Sequence, residues 1–148
     1  MKIILVLSAI FLAVVLDAGA ESKRFVKQIK LPTGQIAVVA EGDLEPRSIG
    51  SYSVRLYSGA NPKYPTNDFV AGIIKERDGG IDQVLLADLA GDGHVEIIVI
   101  TRSAGSGGYL SAQSFALGKR RLEPSVSVAD LPPDANVIAA LKLLEHGH

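Results

Sequence analysis

The sequence predicts an all-β protein, mainly an antiparallel β-sandwich or a barrel-like fold, with a short C-terminal helix. Seven or eight short segments with strand-like patterning recur at a spacing of roughly ten residues, and residues typical of turns lie between them. This regular succession of strands and turns is typical of sandwiches and barrels. The chain contains no cysteine, so packing or a dimer interface must supply the stability that disulfides give to many secreted domains.

The N-terminal segment 1–20 is predicted to be a cleaved signal peptide. Lys2 precedes an apolar run at 3–16, and the triplet Ala-Gly-Ala at 18–20 fits a cleavage site of small residues. The apolar run is shorter than the ~20 residues that a membrane-spanning helix needs. We therefore expect residues 21–148 to form a single periplasmic β domain that does not insert into a membrane.

The first four strands are predicted from residue patterning and from the turns between them. The clearest is 51–57, where Tyr52, Val54 and Leu56 alternate with more polar residues and so share one face. The other strands are predicted over 25–31, 35–40 and 69–75, with turns or loops at 32–34, 41–50 and 58–67.

The second half of the domain is predicted to hold a hairpin, two further strands and the helix. Asp92 and Gly93 form a strong turn signal, and Asp134 follows two prolines as a candidate helix N-cap. The resulting elements are a turn at 78–80, a hairpin of 81–89 and 94–101 joined at 90–93, a strand over 109–117, a short last strand, and a helix over 135–144.

Composition excludes several classes of function. The net charge of −1 at pH 7 argues against a nucleic-acid partner, because phosphate recognition needs a strongly basic surface. The absence of cysteine rules out zinc–thiolate sites and cysteine nucleophiles. We expect no cofactor.

The most informative segment is the loop at 103–109, Ser-Ala-Gly-Ser-Gly-Gly-Tyr, which follows the most apolar run of the mature chain at 95–101. A buried strand that leads into a glycine-rich loop can present side chains to another molecule. An ordinary strand connection explains the same pattern, and residue chemistry alone leaves both interpretations open. If the loop binds a partner, the candidate binding residues are Arg102, Ser103, Gly105, Ser106, Gly107, Gly108 and Tyr109.

A small serine hydrolase is one alternative. The segment 104–108, Ala-Gly-Ser-Gly-Gly, differs from the nucleophile elbow G-x-S-x-G only at its first position, but that motif must open a helix. Residues 109–117 predict a strand instead, and His94 precedes Ser106 whereas such hydrolases place the histidine last. The pattern favours a protein that is not an enzyme.

A calcium-dependent periplasmic ligand-binding module is the other alternative. Asp88, Asp92 and Glu96 offer carboxylate oxygens around a Gly-Asp-Gly turn, and calcium prefers oxygen ligands. However, Ala90 stands where a second ligand is expected. A tight hairpin in which Asp92 and the glycines adopt positive φ explains the segment more simply, so the three carboxylates are weak metal candidates.

The loop motif also carries a family resemblance. Ser-Gly-Gly-Tyr at 106–109 matches the S-G-x-Y motif of bacterial periplasmic lysozyme inhibitors. The segments 25–41, 46–52 and 87–109 resemble the branch of that group that acts on invertebrate-type (I-type) lysozymes. The resemblance covers most of the mature chain.

The resemblance implies a secreted periplasmic inhibitor that protects peptidoglycan from I-type lysozyme. It implies a sandwich-like fold whose loop inserts into the substrate cleft of the lysozyme. Carried over by position, Ser106 would bond to the catalytic carboxylates and Tyr109 would fill the cleft beside them. The resemblance also allows a homodimer. Whether a second loop around 58–66 contributes to the interface is left open.

Overall fold

The computed structural model describes residues 23–147, which form two four-stranded antiparallel sheets and a C-terminal helix. Neither sheet closes on itself, so the fold is a sandwich and not a barrel. The signal peptide predicted at 1–20 lies outside the described residues. Within 23–147, no helix is long and apolar enough to cross a membrane. The elements are β1 (Val26–Lys30), β2 (Ile36–Glu41), β3 (Ile49–Tyr57), β4 (Phe69–Asp78), β5 (Gly80–Ala87), β6 (Glu96–Arg102), β7 (Leu110–Leu117), β8 (Leu122–Leu131) and α1 (Val137–Glu145).

Each sheet is a simple meander in which neighbouring strands follow one another in sequence. The first sheet has the order β1-β2-β3-β4 and the second β5-β6-β7-β8. The predicted hairpin is confirmed, because Val84 of β5 pairs with Val99 of β6. The turn predicted at 78–80 is a crossover between the sheets, since only Gly79 separates the end of β4 from the start of β5.

The main core lies between the two sheets. Tyr52, Val54 and Leu56 of β3 are at most 4% exposed, which confirms the shared face predicted from their alternation. The Tyr52 ring meets the ring of Phe115 edge to face, with centroids 6.3 Å apart. Burial of this ring raises the pKa of Tyr52, so its hydroxyl stays neutral throughout the physiological range.

Strand β6 is buried on both faces, which explains its unbroken apolar sequence. Ile97 and Val99 pack into the core between the sheets. Ile98 and Ile100 pack on the opposite face, in a second cluster that includes Leu141 of α1. The helix therefore covers the outer face of the second sheet, and β6 is packed on both sides.

Two predicted elements differ from those observed. The last strand, expected to be short, is the ten-residue strand β8. It is an edge strand with a largely solvated face, and the polar residues on that face made it resemble a loop in sequence. The helix is capped by Asn136 and not by Asp134, because the Asn136 side chain accepts a hydrogen bond from the Ala139 amide at 3.0 Å.

Candidate functional site

The loop at 103–109, here called the β6–β7 loop, is closed at its base by two hydrogen bonds between its end residues. The Ser103 amide donates to the Tyr109 carbonyl at 2.9 Å, and the Tyr109 amide donates to Ser103 Oγ at 3.1 Å. Within the loop, the Gly108 amide donates to the Gly105 carbonyl at 3.2 Å. The loop therefore has a defined shape, and the Ser103 side chain stabilises it by accepting the hydrogen bond from the Tyr109 amide.

Arg102, the last residue of β6, holds the loop from the adjoining strand. Its guanidinium donates to both carboxylate oxygens of Asp82, at 2.9 and 3.2 Å, and to the Gly108 carbonyl at 3.2 Å. The hydrogen bond with Asp82 raises the pKa of Arg102, so the group stays charged. The structure thus gives Arg102 a supporting contact within the loop.

A bulge in β5 brings Asp82 to Arg102. The pairing of β5 with β6 shifts register between Ile81 and Gln83, which leaves Asp82 as the extra residue. Such bulges redirect a side chain away from the regular pleat. Sequence reasoning missed Asp82, because nothing in the local pattern of β5 marks where pairing with a distant strand will slip.

Gly79, at the crossover between the sheets, lies directly against the base of the loop. Its φ of +78° is in the left-handed region, and a Cβ there would overlap the Arg102 carbonyl and lie 2.8 Å from the Ser103 Cα. Only glycine fits such an approach. The Gly79 amide also donates to the Ser48 carbonyl at 2.8 Å, which connects the loop base to the β2–β3 connection.

A buried arginine fixes the crossover on its other side. Arg77 is 3% exposed and donates to the carbonyls of Pro46 at 3.0 Å, Arg47 at 2.8 Å and Gly79. These bonds compensate for the desolvation of its charge. The crossover cannot shift without breaking them, so the loop base rests on a rigid support.

Glu41, at the end of β2, is a second buried charged residue that fixes the backbone near the loop base. Its carboxylate is 2% exposed and accepts hydrogen bonds from the amides of Phe25 at 3.0 Å and Ile81 at 2.8 Å. Arg47 lies 3.4 Å away as its ion-pair partner. Because Ile81 belongs to the second sheet, Glu41 ties the ends of the two sheets together beside the loop.

The tip of the loop leaves two hydroxyl side chains available. Ser106 is exposed and Tyr109 is 51% exposed; within residues 23–147 neither hydroxyl takes part in a hydrogen bond. Gly107 lies beside the Tyr109 ring, which a Cβ at that position would overlap. Of the three loop glycines, only Gly108 has a positive φ, at +55°.

The weak metal candidates lie at the opposite end of β6. Asp88 accepts hydrogen bonds from the amides of Gly91 at 2.7 Å, Asp92 at 3.2 Å and Gly93 at 2.8 Å. These bonds, above all the one from Gly93, hold the pKa of Asp88 below its ordinary value. Asp92 in turn accepts from the His94 amide at 2.9 Å.

This end of β6 is a self-capped turn. Positive φ is confined to Gly91 and Gly93, so the expectation that Asp92 would share it is wrong. Across 23–147, no group of three or more histidine, cysteine, aspartate or glutamate side chains could hold a metal ion. Asp88, Asp92 and Glu96 are therefore not gathered into a metal site.

The hydrolase motif also lacks its structural context. Ser106 is followed by strand β7, which begins at Leu110, and a nucleophile elbow must be followed by a helix. The strand predicted from 109–117 is confirmed, with its start one residue later. The loop is a connection between antiparallel strands that presents Ser106 and Tyr109.

Comparison with known proteins gives the site its context. The family model of the periplasmic lysozyme inhibitor of I-type lysozyme matches residues 23–144. No relative matches among the curated proteins. The chain is similar to the crystal structure of such an inhibitor from Aeromonas hydrophila, with 50% identity, a TM-score of 0.76, and coverage of 79% of this chain and 98% of the other.

A second solved structure contains the partner of the related inhibitor. It is the Aeromonas hydrophila inhibitor in complex with Meretrix lusoria lysozyme, and its inhibitor is 51% identical to this chain with a TM-score of 0.75. The match covers 80% of this chain and 95% of the other. The described fold is thus similar to that of an inhibitor that binds a lysozyme.

Proposed function

The chain belongs to the family of periplasmic inhibitors of I-type lysozyme, and on this premise we propose that it blocks the enzyme by inserting the β6–β7 loop into the substrate cleft. The family match over residues 23–144 confirms the resemblance that the Ser106–Tyr109 motif indicated. The observation that carries the proposal is a rigidly supported loop whose two exposed hydroxyl side chains have no hydrogen-bond partner within 23–147.

The chemistry of Ser106 suits a glycosidase cleft. Such enzymes generally hold one carboxylic acid and one carboxylate on either side of the scissile bond. A serine hydroxyl can donate to one of these groups and accept from the other. Since Ser106 is exposed at the tip of the loop, it can reach such a pair without rearrangement of the inhibitor.

Tyr109 is suited to fill the space next to the catalytic groups. Tyrosine supplies a large contact area with few rotatable bonds to immobilise, and residues of this type often contribute most of the binding energy of an interface. Gly107 leaves room for the ring on the loop itself. The small residues of the loop let its backbone pass where a sugar chain would otherwise lie.

The supports of the loop should increase affinity by reducing the entropy lost on binding. Arg102, Asp82 and Gly79 fix the base of the loop before any partner is present. A loop that is ordered in the free inhibitor loses less conformational freedom when it enters the cleft. We therefore assign these three residues a positioning role.

We further propose that the protein acts without catalysis and without a metal ion. The solved relatives are described as lysozyme inhibitors, and Asp88 and Asp92 direct their carboxylates to backbone amides of their own turn. Inhibition should accordingly be stoichiometric and insensitive to a calcium chelator.

The test measures lysis of a peptidoglycan suspension by I-type, chicken-type and goose-type lysozymes, each with and without the purified mature protein. We expect selective loss of I-type activity. Ser106→Ala and Tyr109→Ala should each weaken inhibition by ~1–3 kcal/mol, or roughly 5- to 150-fold, while the melting temperature stays unchanged.

Tyr64→Ala is the matched control, because Tyr64 is a similarly exposed tyrosine, at 56%, in the distant β3–β4 connection. It should inhibit like the unaltered protein. Loop insertion would be refuted if Tyr109→Ala inhibited as well as Tyr64→Ala. Absence of inhibition of every lysozyme at micromolar protein would contradict the inhibitor function itself.

A further inference from the structure

The β6–β7 loop alone is too small to account for a stable complex. A specific interface buries about 800 Å² on each partner and draws on roughly 20–30 residues, whereas this loop comprises only 103–109. Further contacts must come from surfaces at the same end of the sandwich. The loop at 58–68 lies at the far end of β4, a strand of ten residues and hence about 30 Å long, so it is poorly placed to contribute.

The β2–β3 connection at 42–48 lies at the same end as the inhibitory loop. Strand β3 begins at Ile49, which pairs with Asp78 at the end of β4. The Ser48 carbonyl accepts from the Gly79 amide at 2.8 Å, and Gly79 lies against Arg102 and Ser103. One glycine therefore separates the two loops.

Leu44, within this connection, has an unusual conformation and exposure. Its φ is +61°, one of two positive values among the non-glycine residues of 23–147, and its side chain is fully exposed, at 106%. Left-handed backbone is unfavourable for a residue with a Cβ, and a leucine in water recovers none of that cost by burial. Such strain is commonly retained where it serves a functional contact.

The residues on either side of Leu44 hold it in this conformation. Asp43 pairs with Arg24 at 2.6 Å. The Glu45 carboxylate accepts from the Ser51 amide at 2.6 Å and from the Ser51 hydroxyl at 2.8 Å. The amide hydrogen bond from Ser51 is the main cause of the lowered pKa of Glu45, so the carboxylate is charged at neutral pH. The leucine is therefore presented by a fixed segment.

We propose that Leu44 is a second contact of the lysozyme-binding surface, packing against an apolar patch on the enzyme beside the cleft that the β6–β7 loop enters. This inference rests on the proposed function and deepens it. Ile49 at the start of β3, 63% exposed, is another exposed apolar residue at this end of the sandwich. Leu44 thus adds to affinity through burial of its side chain, independently of the hydroxyl chemistry at Ser106.

The test compares Leu44→Ala and Leu44→Gly with Leu143→Ala, using the inhibition constant for I-type lysozyme and the melting temperature. Leu143 is an exposed leucine on α1, at 77%, and provides the matched deletion elsewhere. Both Leu44 variants should raise the inhibition constant by about tenfold, which corresponds to ~1.4 kcal/mol. Leu44→Gly should do so without lowering the melting temperature, because glycine tolerates the positive φ.

The outcomes separate this inference from the loop-insertion proposal. Unchanged inhibition by both Leu44 variants, with Tyr109→Ala impaired, would overturn the Leu44 contact and leave loop insertion intact. Impaired Leu44 variants beside an unimpaired Tyr109→Ala would support the contact and overturn insertion. If sedimentation showed that Leu44→Gly only dissociates a dimer while inhibition persists, the leucine would be a self-association residue and the inference would be wrong.

Discussion

Strand β6 has a loop that contains glycines at each end, and the two loops differ in how many of their polar side chains bond back to their own backbone. In the turn at 88–95, Asp88 and Asp92 bond back to backbone amides of the same turn. In the β6–β7 loop, Ser103 closes the base in a similar way, but Arg102, Asp82 and Gly79 add supports from outside the loop. The hydroxyls of Ser106 and Tyr109 are left exposed.

The comparison shows how two glycine-containing segments can differ in the polar groups that they leave exposed. A turn that satisfies its amides with its own side chains has little polar chemistry left to offer. A loop held by neighbouring strands can keep its polar groups exposed and still be ordered. The seven residues of β6 place the two loops about 20 Å apart, so each can be altered without direct effect on the other.

The largest effect should follow from Gly79→Ala, which breaks the external support of the β6–β7 loop. A Cβ would overlap the Arg102 carbonyl in addition to occupying left-handed backbone, so we expect a loss of ~3–5 kcal/mol in the free energy of unfolding. Urea denaturation measures this loss. Inhibition should also fall in the fraction that remains folded.

Gly34→Ala is the control for that substitution. Gly34 has a φ of +88°, but no atom lies within 4 Å of the position that its Cβ would take, so only the cost of left-handed backbone remains, ~1–2 kcal/mol. Equal losses in the two variants would mean that the close approach of Gly79 to the loop base contributes nothing.

A smaller effect is expected from Asp88→Ala, which removes the internal support of the opposite turn. The variant should melt at a lower temperature than the unaltered protein at pH 7, because Gly91, Asp92 and Gly93 lose their acceptor. Inhibition of lysozyme should stay the same. Loss of inhibition without loss of stability would contradict the division of roles between the two loops.

The same variant has a pH dependence whose sign follows from the pKa of Asp88. Folding lowers that pKa below its ordinary value of 3.8, so the folded state holds its proton less tightly than the unfolded state. The stabilisation is therefore present above pH 3.8 and is lost as the pH falls through the lower folded value. The difference in melting temperature between the unaltered protein and Asp88→Ala should shrink below about pH 4.

The alternation and apolar runs in the sequence predicted most of the individual strands and the core face of β3. Alternation placed Tyr52, Val54 and Leu56 in the core, and the apolar run at 95–101 identified the strand that leads to the β6–β7 loop. Strand β8 was underestimated, because an edge strand with a solvated face resembles a loop in its composition. The N-cap was misplaced by two residues, since Asp134 and Asn136 are equally good capping types.

The supports of the site could not be predicted in the same way. Asp82 lies twenty residues before Arg102 in the chain, and its position depends on a bulge that local sequence does not encode. Gly79 was recognisable as a turn residue, but its contact with the Arg102 carbonyl arises only when the two sheets pack. The motif at 106–109 is contiguous and visible, whereas the structure that orders it is assembled from distant segments.

The smallest changes in unfolding free energy are expected when one glycine in each loop is replaced by alanine. These two substitutions also compare the loops most directly. Gly91 and Gly105 both have open space around a Cβ position, but Gly91 has a φ of +73° and Gly105 is outside the left-handed region. Gly91→Ala should therefore cost ~1–2 kcal/mol of unfolding free energy, and Gly105→Ala should change it by less than ~0.5 kcal/mol. Denaturant titration measures both values.

The two variants should differ in the opposite sense in inhibition, where Gly105→Ala should show the larger loss. If the β6–β7 loop enters the cleft as proposed, its backbone must pass close to the enzyme, so the added methyl group of Gly105→Ala should weaken inhibition although the fold is unaffected. Gly91→Ala is destabilised at the far end of β6 and should inhibit normally while it remains folded. If Gly105→Ala inhibited normally as well, the backbone around Gly105 would lie outside the contact, and insertion would be limited to the segment from Ser106 to Tyr109.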